Sequence, residues 1–307
     1  MGDQNHPETA PLEAVSLSSP DQVSAPVLVS SPHSGRWYPP AFRALSVLGE
    51  RDLRRSEDAF VDRLVAAAPR LGLPVLSTPY PRAYIDVNRS ADEIDPEMFL
   101  SPPVPIHAPL ADRVQAGLGL IPRVVGAGIA IYGQRLPAEA ITERIEEVYR
   151  PYHERLTEEL TKLKSSFGHV LLLDMHSMPS APLKATKRWR RGTPDVIIGD
   201  AHGTSASGRL SDAAVEILTA TGLTVTRNEP YAGGYITRRY GAPKHGFHSL
   251  QIEINRSLYM DERHVKALPR FGVIKDMVTR FLGSMRDFVD ANPQVLEPRL
   301  GLRDAAE

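Results

Sequence analysis

Short apolar runs alternate with longer amphipathic stretches along most of this chain of 307 residues. Between residues 137 and 165, apolar side chains recur at every third or fourth position with charged ones between them, as in an amphipathic helix. The next run, 170–173, is uniformly apolar, which is typical of a strand covered on both faces. An alternation of this kind predicts an α/β fold.

The same patterns predict the other elements and one folded unit. The passage at 93–109 is rich in proline and predicts a functional loop or lid. Since there is no internal repeat or clear linker, we expect one domain at 25–296 between flexible tails at 1–24 and 297–307. Strands are predicted at 27–29, 75–77, 83–86, 194–199, 223–226 and 247–254, and helices at 56–68, 207–220 and 265–289.

Composition restricts the partners of the chain. There is no cysteine, so a zinc site would have to be built from histidine and carboxylate side chains. The formal net charge is -1, which disfavours nucleic acid, and we interpret the basic run at 184–191 as a solvated loop. No segment has the pattern of a signal peptide or a membrane span, so we expect a cytoplasmic protein with no membrane partner.

Two histidines follow predicted strands, where ligands bind in open α/β sheets. His33 lies in a Pro-His-Ser-Gly turn, and on its own it could be either a zinc ligand or a hydrogen-bonding loop residue. His176 ends the run that begins at residue 170, and Asp174 could orient its ring from two residues away. Two such histidines favour a metal site.

A third metal ligand should be a carboxylate, and the spacing leaves it open. Asp58 and Glu57 are both candidates, although acidic residues are also common in the first turn of a helix. Glu253 lies on the polar side of an alternating strand, which is either a solvated edge or the wall of a cleft. In a cleft it could act as a general base. Asn88 and Arg89 could bind a carboxylate, and Arg89 could equally form a structural salt bridge.

As a set, six segments resemble the N-formylglutamate amidohydrolases, in the same order and at similar intervals. The resemblance covers roughly 27–261. It implies zinc-dependent hydrolysis of the small molecule N-formyl-L-glutamate to formate and glutamate, a late step of one histidine-degradation route. It also implies a single-domain α/β fold like that of the zinc carboxypeptidases, also called phosphorylase/hydrolase-like, with a mixed, mostly parallel β-sheet flanked by helices. The segments are 32–35, 84–89, 150–153, 174–177, 233–241 and 248–253.

The resemblance also assigns roles to individual residues. His33 and His176 match the metal histidines, and Glu253 matches the catalytic glutamate. Asn88 and Arg89 match an Asp-x-Asn-Arg segment that binds a substrate carboxylate.

One position departs from the carboxypeptidase pattern. Arg36 stands where carboxypeptidases have their glutamate ligand, so the carboxylate must come from elsewhere. We expect Asp58 rather than Glu57 to supply it.

The expected mechanism has Glu253 deprotonating a water made acidic by zinc. Arg238 is a candidate to stabilise the oxyanion or to bind the side-chain carboxylate, and a surface charge is the equal alternative. Two other functions stay open: a zinc deacylase or carboxypeptidase-like hydrolase for another N-acyl amino acid or short peptide, and a non-catalytic binding protein. The oligomeric state is not predicted.

Overall fold

The structure is a computed structural model that describes residues 10–101, 110–181 and 193–297. The basic run at 184–191, part of the passage at 93–109, residues 1–9 of the expected first tail and nearly all of the second tail lie outside the described residues.

A seven-stranded sheet forms the centre of the described structure. Its strands are β1 (Ser16–Ser18), β2 (Val27–Ser31), β3 (Val75–Ser77), β6 (Val170–Met178), β7 (Val196–Gly199), β8 (Val225–Arg227) and β9 (Phe247–Asn255). Two short hairpin pairs lie outside it, β4 (Val124–Val125) with β5 (Ile129–Ala130) and β10 (Met260–Asp261) with β11 (Lys266–Ala267).

The strand order of the sheet is β1-β3-β2-β6-β9-β7-β8. The pairs β3 with β2, β2 with β6, β6 with β9 and β7 with β8 are parallel. The pairs β1 with β3 and β7 with β9 are antiparallel. This arrangement confirms the predicted α/β fold with a mixed, mostly parallel sheet.

Helices cover both faces of the sheet. The helix predicted at 137–165 is present as α5, a π turn at Ile145–Tyr149, and α6 in continuous succession. The helices are α1 (Pro40–Leu45), α2 (Glu50–Leu53), α3 (Val61–Leu64), α4 (Asp112–Gln115), α5 (Glu139–Arg144), α6 (Arg150–Phe167), α7 (Gly208–Thr219), α8 (Tyr235–Tyr240) and α9 (Phe271–Ala291).

Alternate side chains of β6 enter two separate cores. Leu171 and Leu173 pack in the cluster that contains residues of α7 and α9, whereas Leu172 packs in the cluster that contains residues of α6. Because side chains of a strand point alternately to opposite faces, both sets are removed from water. This explains why the run at 170–173 is continuously apolar.

Two predicted elements are wrong. The stretch 56–68 is not one helix, because Phe60 has a left-handed backbone (φ 69°) and only the short α3 follows it. That break turns Asp58 inward, where its backbone N–H donates to the carbonyl oxygen of His33. The stretch 83–86 is a series of turns instead of a strand, and Tyr84 donates its backbone N–H to the carbonyl of Pro81.

Most predicted boundaries are within two residues of the observed ones, and three regions differ by more. Strand β6 does not end before Asp174 but continues to Met178, because β9 pairs with it in register over that length. The helix predicted from 265 begins at Phe271, after β11. Part of the expected N-terminal tail forms β1, which extends the sheet beside β3. Across the described ranges, no helix combines the length and the apolar character required to cross a bilayer.

Candidate active site

Three neighbouring parallel strands bring the candidate residues to one edge of the sheet. In the register of β6 and β9, His176 is the direct partner of Glu253. In the register of β2 and β6, Ser30 is the partner of Asp174, and His33 follows three residues after Ser30. The carboxyl ends of parallel strands lie at the same edge, so residues far apart in sequence converge there.

His33, Asp58 and His176 form a buried cluster. Their potential ligand atoms all lie within 4.8 Å of one another. Asp58 Oδ2 lies 3.3 Å from His33 Nδ1 and 3.0 Å from His176 Nδ1. Each of the three residues is at most 2% exposed. Two imidazole nitrogens and one carboxylate oxygen are the ligands expected of a catalytic zinc site without cysteine.

The outer nitrogen of each imidazole is held by another carboxylate. His33 Nε2 lies 2.8 Å from Asp86 Oδ1, and His176 Nε2 lies 2.8 Å from Asp174 Oδ2. A proton on each Nε2 would leave the Nδ1 lone pairs facing Asp58, which is the usual arrangement around metal-binding histidines. The residues therefore fit a divalent metal ion. The sequence suggested Asp174 for this contact but missed Asp86, whose position depends on the turns at 81–86.

Opposite charges in the cluster shift the pKa values of Asp58 and His176. Burial opposes ionisation of Asp58, but hydrogen bonds from His176 and His33 hold the pKa of its carboxyl well below the usual range. Burial likewise opposes the charged form of His176, but Asp174 and Asp58 raise the pKa of its imidazole well above the usual value. The protonated imidazole of His176 places positive charge beside the Asp58 carboxylate.

Glu57 faces away from the cluster. Its Oε1 accepts a 2.7 Å hydrogen bond from the Tyr38 hydroxyl, and its Oε2 accepts one of 3.1 Å from Arg54 Nε. Burial raises the pKa of the Glu57 carboxyl to about 7, against the opposing effects of Arg54 and Tyr38. Of the two carboxylates that the sequence left open, Asp58 is therefore the one that lies with both histidines.

Glu253 lies beside the cluster without belonging to it. Strand β9 is an interior strand between β6 and β7, so the alternative of a solvated edge strand is wrong. Burial raises the pKa of the Glu253 carboxyl to about 7, although the charge of His176 lowers it. Gln251 Nε2 donates a 2.9 Å hydrogen bond to Glu253 Oε1 and so fixes its direction. A fixed carboxylate with this pKa can exchange a proton near neutral pH.

Asn88 and Arg89 lie in the same turn and have different partners. Asn88 Oδ1 accepts a 2.7 Å bond from the backbone N–H of Ile236, and its Nδ2 lies 3.4 Å from His176 Nε2. Arg89 donates from Nε to the carbonyl of Leu118 and from Nη1 to the carbonyl of Asn88, both at 2.9 Å. Asn88 thus borders the cluster, whereas two of the nitrogens of Arg89 serve the backbone.

Arg82 is a cation near the cluster that the sequence reading did not single out. Its Nη2 donates a 2.6 Å bond to Asp86 Oδ2. Although burial lowers the pKa of Arg82, the charges of Asp86, Asp58 and Glu253 raise it overall. Arg238, the cation that we had suggested, is exposed on α8 and donates to the carbonyl of Gly233. Its catalytic role stays a prediction. The turns that bring Arg82 inward left no periodic signal in the sequence.

The chain is similar in sequence to proteins of known activity. The sequence model of the N-formylglutamate amidohydrolase family matches residues 25–260. The chain is 32% identical over 241 residues to the N-formylglutamate deformylase of Pseudomonas aeruginosa, covering 78% of this chain and 83% of that protein. It is 30% identical over 266 residues to the enzyme of the same name from Pseudomonas putida, covering 84% and 92%.

A solved structure extends the likeness to three dimensions. The crystal structure of N-formylglutamate amidohydrolase from Ralstonia eutropha JMP134 superposes with a TM-score of 0.83 at 35% sequence identity. The match covers 92% of this chain and 100% of that one. The chain therefore belongs to the N-formylglutamate amidohydrolase family and is an enzyme that hydrolyses an amide.

Proposed function

We propose that this enzyme hydrolyses the N-acyl amide of N-formyl-L-glutamate, with zinc held by His33, Asp58 and His176. The observation that carries the proposal is the convergence of two imidazole Nδ1 atoms and one carboxylate oxygen within 4.8 Å. The named activity of the relatives from both Pseudomonas species supports the choice of substrate. Formate and glutamate would be the products, as in the late step of a histidine-degradation route.

Glu253 acts as the base and then as the acid of the proposed reaction. When bound, zinc would polarise the acyl carbonyl and make a nearby water more acidic. Glu253 takes a proton from that water as the water oxygen bonds to the acyl carbon. It then gives the proton to the amide nitrogen as the C–N bond breaks. Burial raises the pKa of the Glu253 carboxyl, whereas a bound cation would lower it, so the group can take up and return a proton near neutral pH.

Cations around the cluster would hold the negative charges of the substrate. Arg82 is a candidate to stabilise the developing oxyanion, because the charges of Asp58 and Glu253 act on it and its guanidinium lies beside Asp86. Asn88, beside His176, would bind the substrate carboxylate together with Arg89. Arg89 would have to exchange at least one of its backbone acceptors for the ligand. Arg238 remains a candidate for the side-chain carboxylate.

Formate release tests the proposal directly. Purified protein loaded with zinc is assayed with N-formylglutamate beside N-acetylglutamate, N-formylaspartate and a formylated dipeptide. We expect N-formylglutamate to have the highest kcat/KM. A higher value for another compound would reassign the enzyme to a different N-acyl substrate, and zinc binding without turnover of any of the four compounds would refute the proposed substrate class.

The Glu253→Gln variant tests the proposed mechanism. It keeps the size of the side chain and removes the base, so turnover should fall by about 10²–10⁴-fold while zinc remains bound. Glu216→Gln on α7 is the matched control, because it changes an exposed glutamate outside the site. Unchanged turnover in Glu253→Gln would remove this residue from the mechanism.

A further inference from the structure

Arg256 is a buried arginine that contacts the cluster through Asp58. It begins the 3-10 turn Arg256–Leu258, directly after β9, and it is 7% exposed. Its Nη2 donates a 2.9 Å hydrogen bond to Asp58 Oδ1. This bond joins two residues that are 198 positions apart in sequence. Neither spacing nor periodicity in the sequence indicated the contact.

All three nitrogens of the guanidinium have acceptors. Nε donates to Ser177 Oγ at 3.1 Å, and Nη2 also reaches the carbonyl of Ser177 at 3.3 Å. Nη1 donates to the carbonyl of Arg55 at 3.3 Å. Ser177 directly follows His176, and Arg55 lies in the segment that leads to Asp58. A planar group fixed at this many points has little freedom to rotate.

The contacts divide the two oxygens of Asp58 between two tasks. Oδ1 is taken by Arg256, whereas Oδ2 faces the Nδ1 atoms of His33 and His176. A carboxylate that was free to turn could offer both oxygens to one ion. With Arg256 in place, only Oδ2 points to the position between the histidines.

We propose that Arg256 is a positioning residue that holds Asp58 as a one-oxygen metal ligand. It also ties that ligand to the strand that carries the base, since Glu253 lies three residues earlier in the chain. The inference rests on the proposed metal site. It assigns Arg256 no contact with substrate. Its effect on the reaction passes through the position of Asp58.

The alternative is a salt bridge that only stabilises the fold. Arg256→Lys separates the two, because it keeps the positive charge while a single ammonium group cannot reach all the acceptors in one plane. Keeping the charge matters, since removing it would also change the electrostatic attraction for the cation. A purely structural role would lower thermal stability without changing the properties of the ion that is bound.

The experiment measures metal affinity and the environment of the bound ion. Zinc affinity is determined by competition with a chromogenic chelator, and the visible absorption of the Co²⁺-substituted protein is recorded per bound ion. For Arg256→Lys we expect zinc affinity about 10–100-fold weaker, as for other residues that orient metal ligands. We also expect an altered Co²⁺ absorption, because the Asp58 carboxylate gains freedom to turn.

Arg286→Lys is the matched control. Arg286 also bonds a carboxylate, that of Asp287, and a backbone carbonyl, that of Leu71, but it lies on α9 away from the cluster. The Arg286→Lys variant should have the zinc affinity and the Co²⁺ absorption of the wild type. Wild-type values for both quantities in Arg256→Lys would overturn the inference, whatever its thermal stability.

The two proposals fail in different ways. If the wild-type protein binds no divalent ion, the proposed metal site itself is refuted. If the wild type binds zinc and Arg256→Lys binds it identically, only the positioning role is refuted. Should Arg256→Lys not fold, Ser177→Ala takes its place, because it removes the acceptor of the Nε–H and leaves Arg256 present. For Ser177→Ala we expect a smaller loss of zinc affinity and a smaller alteration of the Co²⁺ absorption. Wild-type values of both quantities would refute the positioning role.

Discussion

Replacing Glu57 by glutamine should make the stability of this protein less dependent on pH. Burial raises the pKa of the Glu57 carboxyl from 4.5 to about 7 in the folded protein. Each pKa unit corresponds to about 1.4 kcal/mol, so ionisation of this group costs the folded state about 3 kcal/mol. The pKa of Glu57 is higher in the folded than in the unfolded protein, so protonation of Glu57 favours the folded state. This contribution to the free energy of unfolding is fully present below pH 4.5 and is lost as the pH rises through about 7.

Urea unfolding of the metal-free protein measures this effect. Wild type and Glu57→Gln are unfolded at a series of pH values between about 4 and 8, and the difference between their free energies of unfolding is plotted against pH. Other titrating groups, including Glu253, are common to both proteins and cancel in the difference. The difference should shift by about 3 kcal/mol, with the wild type becoming relatively less stable at the higher pH.

Zinc binding by the Glu57 and Asp58 variants distinguishes the two carboxylates that the sequence left open as metal ligands. Glu57→Gln should bind zinc like the wild type, because its side chain faces Tyr38 and Arg54. Asp58→Asn should weaken zinc affinity by more than the roughly 10–100-fold that is typical when a residue hydrogen-bonded to a metal ligand is changed. A pH-independent stability difference, or loss of zinc binding in Glu57→Gln, would refute this account of Glu57.

Three further predictions follow from the site. Asp174→Asn weakens the orientation of a ligand imidazole and should lower zinc affinity about 10–100-fold; unchanged affinity in a chelator competition would contradict that role. A pH-rate profile should show kcat/KM falling on acidification with a limb at or below pH 7, because a bound cation favours ionised Glu253; a flat acidic profile would contradict it. Gly234→Ala should lower the free energy of unfolding by about 1–3 kcal/mol, because its Cβ would overlap the side-chain amide of Asn88. Gly272→Ala, whose Cβ would have no atom within 4 Å, should not destabilise the protein, and equal stabilities of the two variants in urea would contradict this reasoning.

The sequence predicted the sheet well where apolar side chains determine the structure. The run at 170–173 and the strand at 247–254 both appear as central strands, because their side chains are buried whichever way they point. The helix predicted at 137–165 is also present, since its apolar face repeats with the helical period. These elements place His176 and Glu253 in neighbouring strands.

The sequence predicted less well where polar contacts determine the backbone. At 56–68 the helical pattern fails because Phe60 adopts a left-handed conformation and the chain turns Asp58 toward His33. At 83–86 the β-like pattern fails because the chain forms turns that present Asp86 to the same imidazole. Such turns depend on partners distant in sequence, which no local periodicity records.

Two arginines near the cluster were not predicted for the same reason. Arg82 and Arg256 reach the cluster by contacts across the fold, to Asp86 and Asp58 respectively. Arg82 stands four residues before Asp86, a spacing that acquires meaning only once the turn is known. An arginine that belongs to no motif is ordinarily interpreted as a surface residue. His33 and His176 are recognisable in the sequence because they lie in motifs, whereas Asp58, Arg82 and Arg256 lie in none.

The position of the bound ion can be determined by anomalous scattering. Crystals of the zinc-loaded protein are measured on both sides of the zinc absorption edge, and an anomalous difference map gives the position of the metal. The account predicts one peak within bonding distance, about 2.0–2.2 Å, of His33 Nδ1, His176 Nδ1 and Asp58 Oδ2. Turnover of N-formylglutamate by protein that holds the metal elsewhere, or by protein from which all metal has been removed, would contradict the proposed metal site.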